Sequence, residues 1–140
     1  MAASTRFVKC RSETLDPIGR WHEIVKSRDM GALHALLAVD VVFHSPVVHT
    51  PQRGRAITAQ YLMAASQVLF NPSFRYVGEW RAERSAVLEF ATEIEGVVIN
   101  GVDMISWNEA GEIVEFKVMA RPLKAINLLH RLMGERLTKG

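Results

Sequence analysis

A chain of 140 residues with 49% apolar and 23% charged side chains is sized for one buried core and lies far from the composition of a disordered chain. Its formal charge of +2, with basic residues scattered among acidic ones, excludes the basic stripe of a nucleic-acid binder, and no apolar run reaches the roughly 18 residues needed to span a bilayer. The sole cysteine, Cys10, rules out an intrachain disulfide, and its polar surroundings offer no partner that would make it a nucleophile.

The opening Met-Ala-Ala-Ser-Thr-Arg-Phe has no apolar export segment, so the expectation is a cytoplasmic protein forming one domain over residues 1–140, with 1–14 disordered. Asp16-Pro17 announces the first helix: a carboxylate placed to cap free N–H groups, then a proline whose missing donor costs nothing in a first turn. Ile18, Trp21 and Val25 follow at helical spacing, with Ile24 beside them. Asp29 caps a second, shorter helix whose apolar stripe is Met30, Leu33, Leu36 and Leu37. Val41 to Ser45 reads as a strand ended by Pro46. Alternation sets Val41, Phe43 and Ser45 on one face and Val42 and His44 on the other. After a loop from Pro46 to Arg53, Gly54 precedes a third helix with Ile57, Tyr61, Ala64, Ala65 and Val68 inward, stopped near Asn71-Pro72.

Strands follow. Phe74, Tyr76, Gly78 and Trp80 alternate with Arg75, Val77 and Glu79; Ala86 to Ile94 alternates again and turns at Glu95-Gly96; Val98 to Trp107 is its partner. Asn108 to Gly111 forms a hairpin loop and Ile113 to Ala120 ends the sheet. Beyond Arg121-Pro122 a last helix carries Leu123, Ile126, Leu129, His130, Leu132 and Met133.

Helices first and a meander afterwards fit an α+β fold with helices on one face of an antiparallel sheet. The order, and the fragments Arg20-Trp21, Arg28-Asp29, Asp40 to Pro46, Gly54 to Ile57 with Tyr61, and Gly101 to Trp107, resemble the nuclear transport factor 2-like superfamily, which includes ketosteroid isomerases and SnoaL-like cyclases. The resemblance covers Asp16 to Ala120. It implies a cystatin-like cone: three helices in the N-terminal half packed on a curved antiparallel sheet, plus a C-terminal helix, around one apolar pocket. It also implies a homodimer through the outer sheet face, covering Arg75, Val77 and Glu79.

Ketosteroid isomerases resembling this chain use a general-base aspartate, a tyrosine and a protonated aspartic acid, a case of carboxyl pKa tuning. Carried over residue by residue, the base falls on Ser45, a neutral hydroxyl unable to abstract a proton from carbon. The tyrosine of the first helix falls on Trp21, the tyrosine of the third helix on Tyr61 and the buried acid on Asp103.

The residues themselves leave alternatives open. Asp103, on a strand face with Gly101, Ile105 and Trp107, is either a carboxyl kept neutral by desolvation or a structural carboxylate, paired with an arginine or capping a backbone N–H; the resemblance favours the first. His44 points to the outer face by alternation, unless a bulge before Pro46 turns it inward to serve as base. His49 and Arg53 occupy the loop at the expected pocket mouth, as a base and as a holder of a ligand carboxylate. Trp21, Phe43, Ser45, Tyr61, Trp80, Phe90 and Ile105 are candidates for the pocket wall, although aromatics at these periods are more often plain core.

The five histidines show no metal-ligand spacing and no glycine-rich phosphate loop occurs, so neither metal nor nucleotide cofactor is expected. Three functions remain: a cofactor-free isomerase, cyclase or dehydratase acting on an apolar carbonyl compound, with Asp103 and Tyr61 polarising its oxygen; a non-catalytic binder of a small apolar molecule; and a dimeric scaffold.

Overall fold

The computed structural model describes residues 16–139. Cys10 and the expected disorder of residues 1–14 lie outside them. Asp16 accepts from the Ile18 N–H at 3.1 Å and Pro17 opens α1 (Pro17–Ser27), the cap expected from the carboxylate-proline pair. Asp29 accepts from the Gly31 N–H and starts a 3₁₀ turn (Met30–Ala32) that runs into the short α2 (Leu33–Leu36). Leu37, expected in that helix, is already strand. β1 (Leu37–His44) is longer than the alternation from Val41 showed. Its first half bulges outward, exposing Val39 and Asp40, so the period is broken there.

After β2 (Gln52–Arg53) and α3 (Arg55–Leu69) come β3 (Arg75–Arg81), β4 (Ser85–Ile94), β5 (Val97–Trp107), β6 (Ile113–Arg121) and α4 (Leu123–Lys139). Glu95 and Gly96 both take positive φ, 53° and 80°, the two-residue turn whose twist matches the strands it joins. The strands form one six-stranded sheet in the order β2-β1-β6-β5-β4-β3. Three antiparallel hairpin pairings build β3 to β6, but β1 joins β6 in parallel, so the sheet is mixed rather than purely antiparallel.

The helices cover one face. Val41 and Phe43, Phe116 and Val118, Asp103 and Ile105, and Ala86, Leu88 and Phe90 all point to it and are buried with Ile18, Trp21, Leu62 and Leu129 in a single core. Gly101 is a packing requirement: a Cβ there would stand 2.5 Å from the Phe90 ring and 2.6 Å from the Met119 carbonyl. Without it the Phe90 ring lies across the strand two register pairs from Asp103.

Strand β3 departs from strict alternation. Its pairing with β4 shifts between Tyr76 and Gly78, so Tyr76 faces inward beside Phe90 while Trp80, opposite Val87, faces outward and is 59% exposed. The same bulge brings Glu79 and Arg81 to the helix side. There Glu79 holds His22 of α1 at 2.9 Å and Arg81 bridges Glu79 at 2.6 Å and Asp16 at 3.1 Å. The expectation that Trp80 lines the interior and that Glu79 lies outside is therefore reversed, because one extra residue flips every later side chain to the other face.

Candidate active site

Three elements converge on one carboxyl group. Trp21 from α1 donates its indole N–H to the Tyr76 hydroxyl of β3 at 2.9 Å, and that hydroxyl donates to Oδ2 of Asp103 on β5 at 2.5 Å. Asp103 is 6% exposed and has no lysine or arginine partner among the described residues. Burial pushes its carboxyl up to about 7, against a smaller downward pull from the Tyr76 hydrogen bond. Burial and then the Asp103 charge hold the Tyr76 phenol well above its usual value.

The polarity of this chain follows from its first member. An indole nitrogen only donates, so it occupies a lone pair of the Tyr76 oxygen, and the phenol proton finds its acceptor in Asp103 Oδ2. When Asp103 carries a proton, that proton then belongs on Oδ1, and the carboxyl presents an O–H donor away from Tyr76.

What it faces is an enclosed apolar cavity. Trp21, Phe43, Ser45, Phe90 and Asp103, all singled out from the sequence, line it together. Phe70, Phe74, Phe116, Val118, Leu129 and Met133 complete most of the wall and were not singled out, although alternation places Phe74 inside and the stripe of the last helix contains Leu129 and Met133. The cavity volume is about 40 Å³, room for roughly three water molecules at 10–15 Å³ each. Of its lining residues only Asp103 exchanges a proton in the neutral range; Ser45 and Ser66 are the other polar side chains apart from the Trp21 indole.

The other sequence candidates lie elsewhere. Tyr61 is half-buried with its ring 5.6 Å from that of Phe43, and the tyrosine that bonds Asp103 is Tyr76, which the resemblance did not point to. The signal for Tyr76 was its inward place beside Phe74 on β3. Ile105 faces inward and is buried but does not reach the cavity. His44 remains on the outer face, as alternation has it, with Nε2 2.9 Å from Glu115 Oε2; no bulge turns it inward. His49 lies in an open groove next to the cavity, Arg53 is exposed on β2, and Trp80 is on the outer face. Among the described residues no group of three or more His, Cys, Asp or Glu side chains is arranged to hold a metal ion, and no helix is long and apolar enough to cross a membrane.

A SnoaL-like domain model matches residues 18–116. The chain belongs to the SnoaL-like domain family. A steroid delta-isomerase from Pseudomonas aeruginosa is 34% identical over 88% of this chain and 90% of its own, with a TM-score of 0.84. A protein with a cystatin-like fold from Silicibacter pomeroyi is also 34% identical, over 89% of this chain and 86% of that one, with a TM-score of 0.82. An epoxide hydrolase/cyclase-like enzyme of pyran ring formation in the polyether salinomycin shares the fold at 15% identity and a TM-score of 0.63, over 76% of this chain and 89% of that one. A search of curated proteins returned no match. The cone-shaped α+β architecture expected of the SnoaL-like family is the one observed, with its sheet mixed by the β1–β6 pair.

Proposed function

We propose that this SnoaL-like domain binds a small, largely apolar molecule through one carbonyl oxygen and catalyses a cofactor-free isomerisation, cyclisation or dehydration of it. The observation that carries the reading is the chain from Trp21 through Tyr76 to Asp103, which ends on a buried carboxyl group in the wall of an apolar cavity. A neutral carboxyl held there donates to a ligand oxygen and strengthens that bond as charge develops on it, in a medium where little water competes. The isomerase relative supports this class of chemistry.

With Ser45 at the position the resemblance assigns to the base, both proton transfers fall to Asp103, the only lining group that titrates near neutrality: its O–H gives a proton to the ligand oxygen, and the carboxylate so formed takes one from the carbon beside the carbonyl, which restores the acid and leaves the enol. The volume limits the ligand. Pockets for drug-sized molecules span about 300–1,000 Å³, and a cavity of about 40 Å³ admits only the reacting end of a molecule unless its walls part.

The test uses cyclopentanone labelled with carbon-13 at the carbonyl. Binding to the wild type shifts the carbonyl resonance downfield, and Asp103→Leu weakens binding about tenfold, the typical worth of a buried hydrogen bond. Unchanged binding in Asp103→Leu removes the proposal. Deuterium uptake at the carbon beside the carbonyl, in deuterium oxide, separates a catalyst from a binding protein, since binding alone moves no proton from carbon.

A dimeric assembly is part of the same reading. Val77, Trp80 and Val98 leave half or more of their surface exposed, and Trp80 and Val98 lie on the outer sheet face. A second copy covering that face would bury them.

A further inference from the structure

Beside the cavity, along the edge of β6 that β1 leaves free, lies an open groove of about 460 Å³, and the two share three wall residues, Ser45, Pro46 and Val118. The sharing follows from the strand register. The parallel pairing of β1 with β6 ends at His44↔Lys117, while β6 continues to Arg121. Beyond that point β6 has β5 on one side only, and the loop after β1 and Ile126 of α4 stand along its other edge. The sheet is thus interrupted where Val118 faces the cavity and Lys117, one residue earlier, faces the groove. Ser45, Pro46 and Val118 stand between the cavity and the groove.

The groove is half polar, whereas the cavity is almost wholly apolar. His44, His49 and Lys117 line it, together with Met119 and Ile126. Glu115 is the acidic neighbour, and it is bonded to His44 at 2.9 Å. Lys117 has no carboxylate within ion-pair distance among the described residues. Its register partners are His44 and Met104, neither of which neutralises it. A partly buried cation beside two imidazoles is a receptor for an anionic oxygen group.

We propose that the groove is the entrance to the cavity and the seat of a carboxylate, so that the ligand is an amphiphilic oxo acid: its keto end reaches Asp103 and its acid end rests on Lys117 and His49. The inference rests on the reading of Asp103 as the carbonyl-binding acid and adds the substrate class. It also reconciles the volumes. The larger part of the molecule occupies the groove, and only a short apolar segment with its carbonyl fills the small cavity.

Straight-chain oxo acids, beginning with levulinate and lengthened one carbon at a time, are titrated against their methyl esters, which keep the shape and lose the charge. In about 0.01 M salt, where charges act over some 30 Å, at least one acid binds about tenfold tighter than its ester, and the preference collapses in about 1 M salt. Lys117→Gln abolishes the preference and leaves ester affinity unchanged, while Lys117→Arg retains it. Thermal unfolding of both variants matches the wild type, because the substituted side chain is on the surface side of β6. Acid and ester binding equally across the series, or a Lys117→Gln variant weakening both alike, overturns the oxo-acid proposal and leaves the carbonyl reading intact. Binding of acid and ester that Asp103→Leu does not weaken overturns both.

Discussion

Asp103→Asn keeps an acceptor for Tyr76 and an N–H donor for a ligand while removing the ionisable group of the cavity wall. Its effect on stability is set by how far burial moves the carboxyl, from 3.8 to about 7. A folded state with the higher pKa holds the proton more tightly than the unfolded state. The wild type therefore keeps its full stability below about pH 4, loses it as the unfolded chain ionises, and levels off above about pH 7. At 1.36 kcal/mol per unit, a difference of about three units (7 less 3.8) costs on the order of 4 kcal/mol across that window. Asparagine bears no such cost. Urea unfolding of both proteins between about pH 4 and pH 8 reads the difference directly, since every other titrating group is common to both. The variant gains on the wild type as pH rises, with most of the gain complete by about pH 7. Parallel profiles would refute the reasoning, and a variant that loses ground towards neutrality would mean that an unseen cation holds Asp103 ionised.

Tyr76→Phe leaves the Trp21 indole and Asp103 Oδ2 without their partner and costs about 1–3 kcal/mol in chemical denaturation, while raising the Asp103 pKa further because the hydrogen bond favouring its charged form is lost. A β,γ-unsaturated ketosteroid is turned over weakly or not at all in a spectrophotometric assay, because Ser45 supplies no base and the cavity of about 40 Å³ does not admit a steroid nucleus; rapid turnover would require both a different base and an open cavity. Light scattering at micromolar concentration gives twice the chain mass, and Trp80→Asp, which sets a charge among the exposed apolar side chains of the outer face, gives the chain mass without a change in melting temperature beyond that of dissociation.

Features decided by close neighbours along the chain are legible in the amino-acid sequence. Asp16-Pro17 caps α1, Glu95-Gly96 turns between β4 and β5, and alternation sends Phe43 and Ser45 to the cavity and His44 away from it. Features decided by partners distant in the chain are not. The β3 bulge depends on how Tyr76 and Gly78 pair with Phe90 and Glu89, and it alone sends Trp80 outward. The parallel docking of β1 on β6 depends on a connection spanning about half of the chain. The acid of the site is legible as a carboxylate in an apolar strand. Its phenol partner is not, because the third-helix tyrosine pointed to by the resemblance, Tyr61, packs on Phe43 while a β3 residue supplies the hydroxyl.

The bulge in β3 also governs how the protein can associate. β3 and β2 are the two edges of the sheet, where unpaired backbone groups invite strands from other molecules. β2 is two residues long, too short to template a ladder. β3 is broken by its register shift and carries the charged Arg75, Glu79 and Arg81, so an incoming strand meets no continuous row of donors and acceptors. Growth from edge to edge, the geometry of fibrils, is blocked at both ends. The broad outer face, in contrast to the edges, offers apolar side chains, Trp80 and Val98 among them, to a partner.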